Sequence, residues 1–81
     1  MDGRIVRGLH PIRQVARRQG RRLTWIAEQA DISTNYLHRI LTPPTDPDHR
    51  PAPEWFYSRI AEILGVPEES LRPEWEQRHA A

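Results

Sequence analysis

The sequence predicts a small all-α domain, and three observations support that prediction. Apolar residues recur three or four positions apart in successive segments of the 81 residues, which is the spacing of one buried helical face. Glycine and proline stand between these segments, where they end or begin helices. No segment alternates apolar and polar residues as a half-buried strand does. We therefore expect a compact bundle of five helices without a sheet.

The first helix is predicted over residues 9–19. Pro11 suits its first turn, and Gly20 suits the left-handed conformation that ends many helices. Arg13 and Arg17 lie four positions apart and therefore share one face of this helix. The opposite, apolar face consists of Leu9, Ile12, Val15 and Ala16.

The second and third helices are predicted to be short and joined by a tight turn. The second covers about residues 23–30, with Thr24 as its expected cap, and the third runs from a Ser33 cap to about Leu41. Asp31 lies in the turn, because Asp tolerates a left-handed backbone conformation. The apolar positions of the two helices face each other; they are Ile26, Ala27, Ala30, Leu37, Ile40 and Leu41.

A stiff loop is predicted at residues 42–53, TPPTDPDHRPAP, which contain five of the eight prolines. A fourth helix follows at about residues 54–64 and ends at Gly65, and Pro67 begins a last turn that reaches Leu71. The apolar side of the fourth helix consists of Phe56, Ile60, Ile63 and Leu64. The chain is thereby divided into a loose basic arm at residues 1–8, one domain at 9–71 and a tail at 72–81.

Composition argues against several classes of function. The chain has no Cys, so neither disulfides nor thiolate metal ligands can form. Its four His are scattered, no carboxylate pair stands at ligand spacing, and no Gly-rich phosphate-binding loop appears. No apolar run reaches the roughly 18 residues of a membrane span. We therefore expect no catalysis, no metal, no cofactor, no small-molecule ligand and no membrane insertion.

Charge is distributed unevenly along the chain. Residues 1–42 hold eight Arg against three acids, a net charge of +5, whereas residues 43–81 hold four Arg against eight acids, a net charge of −4. There is no Lys, and the forked Arg guanidinium contacts phosphate and guanine in ways that Lys cannot. A GC-rich genome would also enrich Arg, and the two explanations are compatible. The asymmetry favours a basic face for a polyanion and a solvated acidic end.

The third predicted helix carries hydrogen-bonding residues on its outward side. Asn pairs bidentately with adenine, Arg pairs with guanine, and a Thr methyl can contact the thymine methyl, which gives Thr34, Asn35 and Arg39 the chemistry for base edges. Tyr36 suits either a base contact or packing. Two short helices joined by a tight turn are typical of a helix-turn-helix, whose second helix enters the DNA major groove. The alternative is an exposed helix surface with no partner.

The stretch IAEQADISTNYLHRI, residues 26–40, resembles the core of the Cro/CI (XRE-like) helix-turn-helix family. The matched pattern positions are Ile26, Ala27, Ala30, Ile32, Ser33, Leu37 and Ile40. The stretch IAEILGVPEESL, residues 60–71, resembles the closing helix and final turn of the same family. The resemblance spans about residues 9–71 and implies a five-helix, lambda-repressor-like bundle with its helix-turn-helix at residues 23–41. It also implies a sequence-specific double-stranded DNA-binding regulator, most often a phage or bacterial repressor in the cytoplasm, at the nucleoid.

The same resemblance implies two sets of DNA contacts. The base-reading set is Ser33, Thr34, Asn35, Tyr36 and Arg39. The phosphate-binding set is Arg13, Arg17, Arg21, Arg22, His38, Thr42 and Arg50. For Arg13 and Arg17 a solvated face is the alternative, and the arm residues Arg4 and Arg7 are candidates for an adjacent groove.

Three features depart from the family pattern. Asp31 replaces the usual turn Gly, and Leu23 replaces a Gln that commonly contacts phosphate, so we expect Arg21 and Arg22 to substitute for it. The loop at residues 42–53 is also longer and richer in Pro than is typical of the family.

Double-stranded DNA is the expected partner, bound by a homodimer that associates through its C-terminal end, for example through Leu71 and Trp75. Trp75 can equally serve local packing. The alternative function is a helix-turn-helix module that binds protein, such as an antitoxin or adaptor docked through its acidic half. The seven Arg within residues 1–22, together with Asn35 and Arg39, favour DNA over that alternative.

Overall fold

Four α-helices and one 3-10 helix follow one another along residues 9–76, the part of the chain that this computed structural model describes. The elements are α1 (Pro11–Gln19), α2 (Leu23–Ala30), α3 (Thr34–Leu41), α4 (Phe56–Leu64) and the 3-10 helix (Glu68–Ser70). Residues 9–76 contain no strand, so the predicted all-α bundle of five helices is confirmed. The predicted arm at residues 1–8 and the end of the predicted tail, residues 77–81, lie outside the described residues.

Three helices end at a residue in the left-handed conformation, as predicted. Gly20 follows α1 with φ 69°, Asp31 follows α2 with φ 62°, and Gly65 follows α4 with φ 70°. A short polar side chain tolerates this region of φ better than a branched one, which explains why Asp31 can stand where Gly is usual. The turn between α2 and α3 therefore keeps the geometry that the sequence indicates.

Helix α1 begins at Pro11, two residues later than predicted. The preceding His10 is extended, with ψ 143°, because proline disfavours the helical conformation in the residue before it. The His10 ring instead caps the helix: its Nδ1 accepts a hydrogen bond of 3.0 Å from the Ile12 amide. Leu9 lies outside the helix and is half-buried against its neighbours.

The start of α3 agrees with prediction, whereas the cap of α2 differs from it and α4 begins two residues later than the predicted residue 54. The cap position of α2 is Arg22, which makes no side-chain cap bond, and Thr24 lies one residue inside the helix; the prediction that Thr24 is the cap was wrong. Ser33 caps α3 as predicted, since its hydroxyl oxygen accepts a hydrogen bond of 3.0 Å from the Tyr36 amide. Helix α4 begins at Phe56 after the helical turn residue Trp55.

One core lies between the helices, and α2 packs against both α3 and α4. Its members are Ile12, Val15, Ala16, Ile26, Ala27, Ala30, Leu37, Ile40, Leu41, Phe56, Tyr57, Ile60, Ala61, Leu64 and Leu71. Ile63, predicted on the apolar side of α4, is half-buried at the edge of this core. None of the helices in the described part of the chain has the length and apolarity that crossing a bilayer requires.

The C-terminal segment packs back onto the domain. Leu71 is 0% exposed and Pro73 is buried. The half-buried Trp75 ring meets His10 edge-to-face at 5.6 Å and His49 at 6.3 Å between ring centroids. Leu71 therefore has no surface that a second copy could contact, and Trp75 serves local packing. A homodimer through the C-terminal end, in which Trp75 is half-buried, stays a prediction.

Candidate nucleic-acid interface

The outward side of α3 presents the residues that were predicted to read bases. Asn35 is exposed, and Thr34 and Arg39 are half-buried beside it. Tyr36 is half-buried and packs against the core edge, so its ring both supports the helix and borders the exposed surface. Ser33 is exposed, but its hydroxyl also caps the helix. Because Leu37 and Ile40 fix the inner side of α3 in the core, this outer side has a single defined orientation.

These residues border an open cleft of about 390 Å³ between α3 and the Pro-rich loop. Its lining residues are Ser33, Asn35, Tyr36, Arg39, Arg50 and Pro51; we call it the α3–loop cleft. Four of the six were predicted to read bases, and Arg50 was predicted to bind phosphate. The structure thus brings most of the base-reading prediction together and adds Arg50 to it.

Hydrogen bonds attach the loop to the C-terminal end of α3. The Arg50 amide donates to the Arg39 carbonyl at 3.2 Å, and His49 Nδ1 donates to the Thr42 carbonyl at 2.6 Å. The Thr42 hydroxyl donates to the His38 carbonyl at 2.7 Å and thereby caps the helix. The only proton of the Thr42 hydroxyl is engaged in this cap, although Thr42 was predicted to contact phosphate.

A second concavity, of about 280 Å³, lies on the side of α1. Its lining residues are Leu9, Arg13, Ala16, Arg17, Arg21 and Leu23. Its three cations, Arg13, Arg17 and Arg21, form what we call the arginine patch. Three of the residues predicted to bind phosphate therefore surround one concavity, whose apolar lining is Leu9, Ala16 and Leu23. Their spacing along the sequence did not by itself predict this arrangement.

One contact joins the arginine patch to α3. An amino group of Arg13 donates to His38 Nδ1 at 3.2 Å, so the ring nitrogen that accepts is unprotonated. Burial lowers the pKa of Arg13 from its ordinary value, but a guanidinium remains charged at neutral pH. His38 itself is exposed. The predicted phosphate residues of α1 and α3 therefore lie on neighbouring surfaces.

The start of α2 holds the remaining predicted phosphate residues. The Arg21 guanidinium lies 4.3 Å from the centroid of the Trp25 ring, a cation–π contact that orients it. Arg22 is exposed and its amide precedes the first turn of α2. Leu23 is half-buried at the edge of the core. Arg21 and Arg22 are therefore both exposed at the start of α2, where they were predicted to bind phosphate.

Comparison with known proteins gives no identification. A scan against protein-family models and searches of curated proteins and of solved structures yield no significant match. The functional argument for this chain therefore depends on its own residues and their geometry.

Sequence reasoning missed a group of side chains on another side of the molecule, the histidine–aromatic cluster of His10, His49, Tyr57 and Trp75. His10 is 3% exposed, its Nε2 lies 3.1 Å from the Tyr57 hydroxyl oxygen, and the two rings stack. Since Nδ1 accepts from a backbone amide, the neutral ring carries its proton on Nε2 and donates it to Tyr57. The four residues are far apart in sequence, and no spacing rule connects them.

Burial controls the protonation of this cluster. It lowers the pKa of His10 to about 3, with smaller effects from the nearby Arg13 and His49 charges. It also raises the pKa of Tyr57 well above its usual value, helped by Glu76. Both groups are therefore neutral at physiological pH. The cluster fastens α1, α4 and the C-terminal segment to one another.

Proposed function

We propose that this protein is a sequence-specific regulator that binds double-stranded DNA and acts as a repressor. In this proposal α3 enters the major groove, and Asn35 and Arg39 contact base edges. The observation that carries it is the α3–loop cleft, which is bordered by hydrogen-bonding side chains of a helix that Leu37 and Ile40 anchor in the core. We place its action at the nucleoid, in the cytoplasm.

The arginine patch supports the proposal through electrostatics. Arg13, Arg17 and Arg21 converge around one concavity, and Arg13 contacts α3 through His38. Contacts of this kind to phosphates supply most of the affinity for DNA and its salt dependence, whereas base contacts supply sequence choice. A surface on which α3 and the arginine patch present these two chemistries side by side fits a duplex better than it fits an acidic protein surface.

The test is selection from a random duplex library with the full chain at two salt concentrations. We expect a defined motif; if the protein binds as a dimer, the motif contains two inverted half-sites about 34–36 Å apart. Asn35→Ala and Arg39→Ala should each relax specific positions of the motif, at about 1–3 kcal/mol per contact.

A matched control is Arg18→Ala, because Arg18 is exposed on α1 and borders neither concavity. This variant should retain the motif and nearly all of the affinity. Binding that ignores sequence and disappears with modest salt would contradict the proposal. The arginines would then be a nonspecific electrostatic surface, and the search would turn to a protein partner for the acidic half of the chain.

A further inference from the structure

The Pro-rich loop is held in one conformation over most of its length. Proline removes backbone freedom at five of its twelve positions. An Asp46 carboxylate oxygen accepts from the Asp48 amide at 2.8 Å and closes a local turn. His49 then donates to the Thr42 carbonyl, and the Trp75 ring covers the His49 ring edge-to-face. This loop is therefore a rigid extension of α3, unlike a typical long connection.

Rigidity places Arg50 beside Arg39. The Arg50 amide is bonded to the Arg39 carbonyl, so the backbones of two residues eleven positions apart are in direct contact. Both side chains then border the same cleft, together with Asn35. The two side chains start from adjacent backbone points and can therefore enter the same stretch of a bound duplex, in which successive base pairs are about 3.4 Å apart along the helix axis.

Within residues 9–76, neither guanidinium is neutralised. No carboxylate of the described residues forms an ion pair with Arg39 or Arg50. Two cations that border one cleft repel each other in the free protein, and an acceptor for each of them offsets that repulsion. The O6 and N7 atoms of guanine form a bidentate acceptor for one guanidinium each.

From this geometry we infer that Arg50 is a specificity-determining residue that reads a guanine in the same half-site as the base read by Arg39. This inference rests on the proposed DNA-binding function and departs from the phosphate role first predicted for Arg50. It makes the Pro-rich loop a second reading element, with the loop and α3 forming the two sides of one cleft.

The test compares selected motifs and affinities for the wild-type chain, Arg50→Ala and Arg50→Lys. If Arg50 reads a base, Arg50→Ala should lose the preference for guanine at one motif position and retain the rest of the motif. Arg50→Lys should lose most of that preference too, because it retains the charge but not the fork. Arg17→Ala is the matched comparison, since a phosphate contact should weaken binding to all sequences alike and reduce the salt slope by about 1.

Loosening the loop gives an independent measurement. His49→Ala removes the bond to the Thr42 carbonyl, and we expect it to weaken the guanine preference at the Arg50 position alone, by several-fold. His79→Ala, at another of the four His, is its control, and circular dichroism verifies that both variants fold. If His49→Ala leaves that position unchanged, the loop does not position Arg50.

The outcomes separate the two proposals. If the wild-type chain selects no motif, the proposed function itself fails. If the wild-type chain selects a motif and Arg50→Ala retains every position while its affinity falls uniformly, Arg50 contacts phosphate and only the present inference is overturned.

Discussion

The α3–loop cleft and the histidine–aromatic cluster both contain hydrogen-bonding side chains, but they lie in opposite environments. In the cleft, Arg39 and Arg50 border open space and have no ion-pair partner among the described residues. In the cluster, His10 and Tyr57 are buried and bonded to each other. Polar groups bonded inside the protein stabilise the fold, and those left open are available to a partner. The difference teaches that burial separates the polar side chains bonded within this fold from those open to a partner.

The largest expected effect is on the stability that the histidine–aromatic cluster gives to the fold. His10→Ala removes the cap of α1 and leaves the Tyr57 hydroxyl buried without its partner, so we expect the free energy of unfolding to fall by about 3 kcal/mol. Urea denaturation measures it. His38→Ala is the control, because His38 is exposed and its removal should change stability by less than about 0.5 kcal/mol. If both variants lost the same free energy of unfolding, the buried cluster would stabilise the fold no more than the exposed His38 does.

Acid should weaken the cluster before it affects the cleft. Because burial lowers the pKa of His10 from 6.5 to about 3, the unfolded chain takes up a proton in this interval that the folded chain does not. Stability from this residue is thus complete above pH 6.5 and falls by about 1 kcal/mol per pH unit as the pH drops towards 3.

Urea denaturation between pH 7.5 and 4.5 tests this expectation against His10→Asn. Asn retains an acceptor for the cap but does not titrate, so the variant should lose less stability on acidification than the wild-type chain. Parallel pH profiles would show that His10 is not the group responsible.

Ser33 combines a structural role with a place in the cleft: its hydroxyl caps α3, and the residue also lines the α3–loop cleft. Ser33→Ala should lower stability by about 1 kcal/mol through loss of the cap. Ser33→Asp should restore the cap and most of that stability. It should nevertheless weaken DNA binding, because in the proposed complex it places a negative charge beside the DNA phosphates. Thermal denaturation and fluorescence anisotropy with a selected duplex measure the two effects. Unchanged binding by Ser33→Asp would place the DNA elsewhere.

The smallest expected effect concerns the arginine patch. Arg21→Gln removes the contact with Trp25, which at a partly exposed site is worth about 0.5 kcal/mol of stability. Its effect on DNA affinity should be larger and independent of sequence, with a shallower salt dependence. Titrations at several salt concentrations test this, and a change in the selected motif would instead assign Arg21 to base reading.

The sequence by itself determined the helices, their ends and the identity of the outward residues of α3. Periodicity located the core residues, and Gly20, Asp31, Ser33 and Gly65 marked helix ends because their local conformations depend on neighbouring residues only. The late start of α1 was also readable in principle, since the restriction that Pro11 places on His10 is local.

Only the tertiary structure decided which distant side chains meet. The bond between Arg50 and Arg39 brings the loop into the cleft, and burial of Leu71 removes it from any surface. His10 meets Tyr57 across 47 positions of sequence, and that burial lowers its pKa. Such contacts follow from how helices of given length pack around one core, a property that no spacing of residues along the chain encodes.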